Sequence, residues 1–157
     1  MSFLNPPAPA PAPAAEPPIE NDGWFPAIDL ADLRATARLD GTVTQARLRY
    51  SAMQAIVSVN AELERFQDAQ RELGFADLAA VPGPTVGGRK VKVSHYLRAV
   101  YSATQADLVE RFRDYDTTGD GDKAADKLEL RGDALRRDVR WAISDLLGIR
   151  RTTVELI

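Results

Sequence analysis

The sequence predicts an all-α protein, a small helical bundle of about four helices between an extended N-terminal arm and an extended C-terminal tail. Residues 45–73 contain neither glycine nor proline, and their apolar residues recur at steps of three and four, which is the spacing of one helix face. Two more segments, 94–115 and 126–147, repeat that spacing. Seven of the ten prolines fall within residues 6–18, where no helix can form.

The arm comprises residues 1–22 and is dominated by proline. Alanine and proline alternate over residues 8–13. Because proline fixes φ and lacks a backbone donor, we expect an extended, flexible, polyproline-like segment. It serves either as a spacer or as an arm that becomes ordered against a neighbouring subunit. The helical domain then spans 23–148, and the tail spans 149–157.

Capping residues predict where the first two helices begin and end. Asp29, with a second acid at Asp32, is typical of the start of a short helix, and Thr44 of the start of the long one. Gly74 occupies the position of a glycine that ends the long helix. The prolines and glycines of residues 81–88 then predict a flexible connection.

The third and fourth helices are predicted less sharply at their starts. Val91-Lys92-Val93 alternates like a short strand, and Ser94 is a candidate cap for the third helix over roughly 94–115. The fourth helix is predicted over about 126–147 and ends at Gly148. Short connections between these helices favour antiparallel neighbours.

Composition limits the classes of protein that fit. The chain has 157 residues, 45% hydrophobic and 27% charged, with no cysteine, so disulfides and thiolate chemistry are excluded and synthesis in a reducing cytoplasm is expected. No apolar run is long enough for a membrane span, and the first residues lack the pattern of a signal peptide. Net charge is −3, divided as −5 over residues 1–78 and +2 over 79–157. A contact with phosphate or with an acidic partner is therefore expected in the second half.

Catalytic and metal-binding motifs are weak. His95 is the only histidine and has no neighbouring nucleophile motif. The acidic loop at 116–126 resembles the front of a calcium-binding EF-hand loop, but Lys123 and Lys127 occupy positions that should be apolar and bidentate acidic. We therefore expect no enzyme activity, no cofactor and no metal site.

Partner-contact candidates come from the fourth helix and the tail. Arg136, Arg137 and Arg140 fall on the polar side of that helix, where they form either an ordinary solvated face or a contact with a subunit or phosphate. The tail is β-prone and ends in apolar residues. Its candidate contact residues are Val154, Glu155, Leu156 and Ile157.

Eight short segments, in one order over about 135 residues, carry a family resemblance. They are 21–26, 39–44, 60–63, 98–101, 110–118, 136–138, 141–143 and 153–157. Together they resemble the phage head-completion protein (GPL) family of contractile-tailed temperate phages. The Pro/Ala arm lies outside the similarity.

The resemblance implies a structural virion protein with an α-helical connector fold. Such a protein is made in the host bacterial cytoplasm and docks on the portal vertex at the head-tail neck after DNA packaging. There it stabilises the filled head and prepares it for tail joining. The implied partners are the portal protein, neighbouring copies in a ring, and tail-terminator or neck proteins. Packaged DNA lies nearby without sequence-specific binding, and no membrane is involved.

The tail suggests how docking could occur. We expect Val154 to Ile157 to add as a strand to an exposed sheet edge of the portal, or else to pack on their own bundle. Two other classes of protein remain as alternatives. A helical DNA-binding regulator is opposed by the acidic balance and the long helix, and a calcium sensor is opposed by the two lysines of the loop.

Overall fold

The computed structural model describes residues 16–39, 41–113 and 121–149, without the side chains of 112–113 and 121–129. Four helices account for most of these residues, which confirms the mostly helical bundle. They are α1 (Leu30–Ala37), α2 (Gln45–Glu72), α3 (Val91–Arg113) and α4 (Gly121–Leu147), with strands β1 (Thr85–Val86) and β2 (Arg89–Lys90) between α2 and α3. None of the helices described is long and apolar enough to cross a membrane.

The caps of α1 and α2 lie where the sequence predicts them. Asp29 accepts hydrogen bonds from the backbone N–H groups of Ala31 and Asp32, and Thr44 accepts one from Arg47. These bonds satisfy donors that the first helical turn leaves without partners. Gly74 follows α2 with φ +89°, the left-handed conformation that favours glycine.

The connection before α3 differs from the prediction. Residues 85–90 form a hairpin in which Thr85 pairs with Lys90 and Val86 with Arg89. Gly87 and Gly88 both have positive φ, which a tight two-residue hairpin turn requires. Because the hairpin returns the chain to the bundle, α3 begins at Val91. The strand suggested for 91–93 and the cap suggested at Ser94 are therefore wrong, and the Ser94 hydroxyl lies within 3.5 Å of the Lys90 carbonyl.

Helix α3 occupies the centre of the bundle. It packs along α4 and α2, whereas α2 and α4 touch each other at few points. The face of α3 predicted to be apolar is buried at Leu97, Val100, Tyr101, Thr104 and Leu108. Helix α4 contributes the buried Ala142, Ile143 and Leu146, and runs through Gly132 without interruption.

Residues 16–22 pack against the helical domain, although sequence analysis included them in the arm. Ile19 is buried and exchanges two backbone hydrogen bonds with Ile28. The Glu16 carboxylate pairs with Arg34 of α1 at 2.6 Å. These contacts join the end of the proline-rich segment to α1. Residues 1–15 and the tail from 150 onward lie outside the described residues.

Candidate protein-contact surface

The segment 21–26, which carries part of the family resemblance, is built around the carboxylate of Asp22. Its Oδ1 accepts from the backbone N–H groups of Trp24 and Phe25, and its Oδ2 accepts from Gln67 Nε2. Burial raises the pKa of Asp22, but these hydrogen bonds and the nearby Arg71 guanidinium more than offset it, so the pKa lies below its ordinary value. The carboxylate thus fixes the turn that places two aromatic rings in the core.

A partly buried triangle of polar side chains, with Tyr96 fully buried, connects this segment to α2 and α3. Asn21 Nδ2 donates to the Tyr96 hydroxyl at 2.8 Å, that hydroxyl donates to Asn60 Oδ1 at 2.7 Å, and Asn60 Nδ2 donates to Asn21 Oδ1 at 2.9 Å. Burial raises the pKa of Tyr96 well above its ordinary value, so the hydroxyl stays neutral. Asn60 lies within α2, in the segment 60–63 that carries part of the family resemblance, and the triangle explains why a polar residue is placed there.

Aromatic packing completes the same region. Trp24 donates its indole N–H to the Phe75 carbonyl at 3.1 Å, and Phe25 stacks on Tyr96 with ring centroids 4.6 Å apart. All three rings in this cluster, Trp24, Phe25 and Tyr96, are buried. This constellation holds the fold together, and surface residues must supply any contact with a partner.

The three arginines predicted as contact candidates lie together on α4 but differ in their surroundings. Arg136 is held by Glu110 at 3.2 Å and by Asp133 at 3.0 Å. The Arg137 guanidinium lies over the Trp141 ring, 4.6 Å from its centroid. Within the described part of the chain, Arg137 and Arg140 have no carboxylate at ion-pair distance. Arg136 therefore links α4 to α3 by an ion pair, whereas the guanidinium groups of Arg137 and Arg140 can pair with a carboxylate of another protein.

The outward side of α4 also carries an apolar component that sequence reasoning missed. Leu130, Ala134, Arg137 and Trp141 follow one another at steps of four, three and four, which places them on one ridge of the helix. We call these four residues the α4 ridge. The side chain of Leu130 is 72% exposed. The spacing was visible in the sequence, but only the packing of Ala142, Ile143 and Leu146 shows which side of α4 faces outward.

Two grooves flank this surface. One, with a volume of about 450 Å³, runs beside the ridge and is lined by Leu130, Ala134, Arg137 and Arg140 among others. The other, of about 580 Å³, lies between α2, α3 and α4. Its lining includes Ala55, Ala103, Ala106, Glu62, Glu110 and Arg140. Arg140 therefore borders both grooves, where its guanidinium can meet a carboxylate from outside the chain.

A second exposed apolar row lies on α2. Tyr50, Met53 and Val57 are each about half exposed or more, at steps of three and four along the helix. Arg111 lies over the Tyr50 ring at 5.1 Å and also pairs with Asp107. Both outer helices of the bundle therefore present apolar side chains to the outside.

The remaining candidates fall into two groups. Val154, Glu155, Leu156 and Ile157 lie outside the described residues, and so does the start of the acidic loop. His95 is half-buried on α3. Within the described ranges, no cluster of acidic or histidine side chains could hold a metal ion.

Comparison with known proteins identifies the family. A family profile described as phage head completion protein (GPL) matches residues 19–157. The head completion/stabilization protein of Escherichia phage P2 is 40% identical over 148 residues, covering 94% of this chain and 88% of that protein. No solved structure matches significantly. The profile match covers the helical domain and the tail while leaving out the alanine-proline repeat, and the chain therefore belongs to the phage head completion protein (GPL) family.

Proposed function

We propose that this chain is a non-enzymatic neck connector. It docks on the portal vertex after DNA packaging, stabilises the filled head and prepares it for tail joining. Membership of the head completion family carries this proposal. Head completion makes the protein a component of the virion, and docking at the portal is the step that the proposal adds.

The surface of the bundle supports a role in assembly. Tyr50, Met53 and Val57 on α2 and Leu130 on α4 are exposed apolar side chains on opposite outer helices. Exposed apolar rows of this kind are typical of surfaces that become covered by a partner. A connector needs several such surfaces, because it contacts the portal, its neighbouring copies and the neck proteins at once.

The polar chemistry of the molecule supports a structural role. In the partly buried triangle of Asn21, Asn60 and Tyr96, each side-chain oxygen and nitrogen makes at least one hydrogen bond within the triangle, and these bonds join three segments. No buried side-chain nitrogen or oxygen among the described residues lacks a hydrogen-bond partner. A network whose polar groups bond to one another across three segments suits a structural role.

Co-sedimentation with purified portal rings of the same phage tests the proposal. We expect a ring of this chain stacked on the portal in images of the co-sedimented product. Deleting residues 152–157 tests the strand-addition hypothesis for Val154 to Ile157, and unchanged portal binding would contradict it. If portal rings alone bind nothing, DNA-filled tailless heads are the second substrate. Absence of binding to both would refute the docking role.

A further inference from the structure

We propose that the α4 ridge, together with Arg140, binds an acidic segment of another virion protein through apolar contacts and carboxylate–guanidinium pairs. This inference rests on the proposed function and adds the chemistry of the partner. The ridge consists of Leu130, Ala134, Arg137 and Trp141, as defined above. Three observations support a protein partner: the composition of the ridge, the absence of a carboxylate at ion-pair distance from Arg137 and Arg140 among the described residues, and the carboxylates that flank the ridge.

The composition of the ridge is that of a protein contact. Leu130 is 72% exposed, and Trp141 is partly exposed on the outward side of α4. Arginine and tryptophan are the residue types most enriched among those that dominate binding energy at interfaces. The stacking of Arg137 on Trp141 also limits the freedom of the guanidinium, so less entropy is lost when it pairs with a carboxylate.

The charges of Arg137 on the ridge and of Arg140 beside it favour an acidic partner. Arg34, Arg98, Arg111 and Arg136 each pair with a carboxylate of this chain at 3.7 Å or less. Arg137 and Arg140 have no such partner among the residues that the structure describes. Because Arg140 borders the groove beside the ridge, a segment seated there would bring its carboxylates to both guanidinium groups.

The neighbouring carboxylates favour protein over nucleic acid. Glu110 and Asp133 lie on one flank, paired with Arg136. Asp138 and Asp145 lie on the other flank, paired with Arg98. A phosphate backbone carries one charge every few ångströms and would meet these acids along the surface, whereas a protein segment can place its carboxylates only at the arginines.

Complementation of a phage that lacks a functional copy of this gene tests the inference. The double variant Arg137→Glu and Arg140→Glu should yield at least about 100-fold fewer infective particles than wild type, since two attractive contacts become repulsive. The matched control reverses two exposed arginines elsewhere, Arg65→Glu and Arg89→Glu, and should complement almost normally. Circular dichroism melting should give a Tm for the double variant within about 5 °C of wild type, because both side chains are exposed and only the stacking of Arg137 on Trp141 is lost.

Two further measurements identify the partner. Phage that regain growth with the double variant should carry an aspartate or glutamate changed to lysine or arginine in another virion protein. Leu130→Ser, which alters the ridge without altering charge, should also lower the yield. Fluorescence anisotropy with a short DNA duplex should show equal binding, or none, for wild type and the double variant.

The outcomes separate the inference from the function on which it rests. Absence of wild-type binding to both portal rings and DNA-filled tailless heads would refute the proposed function. Normal complementation by the folded double variant, with wild type active, would overturn only the inference about the ridge. Duplex binding by wild type that the double variant loses would also overturn it, and would assign the arginines to phosphate.

Discussion

Replacing the buried Tyr96 with phenylalanine removes a single oxygen atom from the triangle of Asn21, Asn60 and Tyr96. In the folded protein this oxygen accepts from Asn21 at 2.8 Å and donates to Asn60 at 2.7 Å. The phenylalanine ring can keep the stack on Phe25, so the apolar packing of the region should change little. The substitution therefore isolates the polar contribution of the triangle to stability.

The structure gives the size of the effect. Leaving a buried donor or acceptor without its partner costs about 1–3 kcal/mol. Asn21 keeps a second acceptor, the Pro26 carbonyl at 3.0 Å, and Asn60 keeps its bond to Asn21, so part of the loss is compensated. We therefore expect the free energy of unfolding to fall by about 2–3 kcal/mol.

A matched control is available on the same helix. Tyr101 also donates a short hydrogen bond, 2.7 Å to Asp32, but Asp32 is exposed to solvent. Water can replace the lost hydroxyl there, so Tyr101→Phe should cost only about 0.5–1.5 kcal/mol. Urea unfolding followed by circular dichroism measures both variants, and the denaturant slope should not change. If Tyr96→Phe costs no more than Tyr101→Phe, the triangle does not hold the three segments together and the reasoning fails.

Three further predictions concern the core, a helix end and pH. Leu63→Ala should lower the free energy of unfolding by about 2–5 kcal/mol because Leu63 is fully buried, whereas Leu130→Ala at an exposed position should cost little; thermal melts compare them. Gly74→Ala should lower the free energy of unfolding, measured by urea titration, by about 1–2 kcal/mol. The cost comes from the positive φ alone, since nothing lies within 4 Å of an added Cβ, and an unchanged free energy would contradict the φ of +89°. Because the pKa of Asp22 is lowered in the folded protein, its ionised carboxylate stabilises the fold above the ordinary pKa of 3.8. This stabilisation is lost as the pH falls through the lower pKa of the folded state. The stability difference between wild type and Asp22→Asn should therefore shrink below about pH 4, and a difference independent of pH would refute this.

Local chemistry explains what could be predicted of the fold from the sequence. The caps at Asp29 and Thr44 and the glycine after α2 act through atoms only a few residues away, so their patterns are visible in the chain. The same holds for the apolar faces of α2 and α3, which follow the helical repeat. Sequence analysis did not predict the hairpin, because two adjacent glycines are as compatible with a flexible loop as with a tight turn. Only the positive φ of Gly87 and Gly88 in the folded chain distinguishes the two.

The family resemblance came from the order of short motifs, and the sequence alone could not say what those motifs do. Asn21, Asn60 and Tyr96 are 36 to 75 residues apart pairwise, and only the packing of α3 against α2 brings their polar atoms within hydrogen-bond distance. The arginines of α4 could likewise be named from the sequence but not distinguished.

The amino-acid sequence by itself determined the existence of the four helices, the caps of α1 and α2, the charge division and the family. Tertiary structure alone decided which polar residues form the triangle of Asn21, Asn60 and Tyr96, and which arginines pair with a carboxylate among the described residues. The physical reason is the distance along the chain over which each feature is set. Helix periodicity and capping depend on neighbours in the sequence, whereas the pairing of Arg136 with Glu110, which Arg140 does not share among the described residues, depends on how α4 packs against α3.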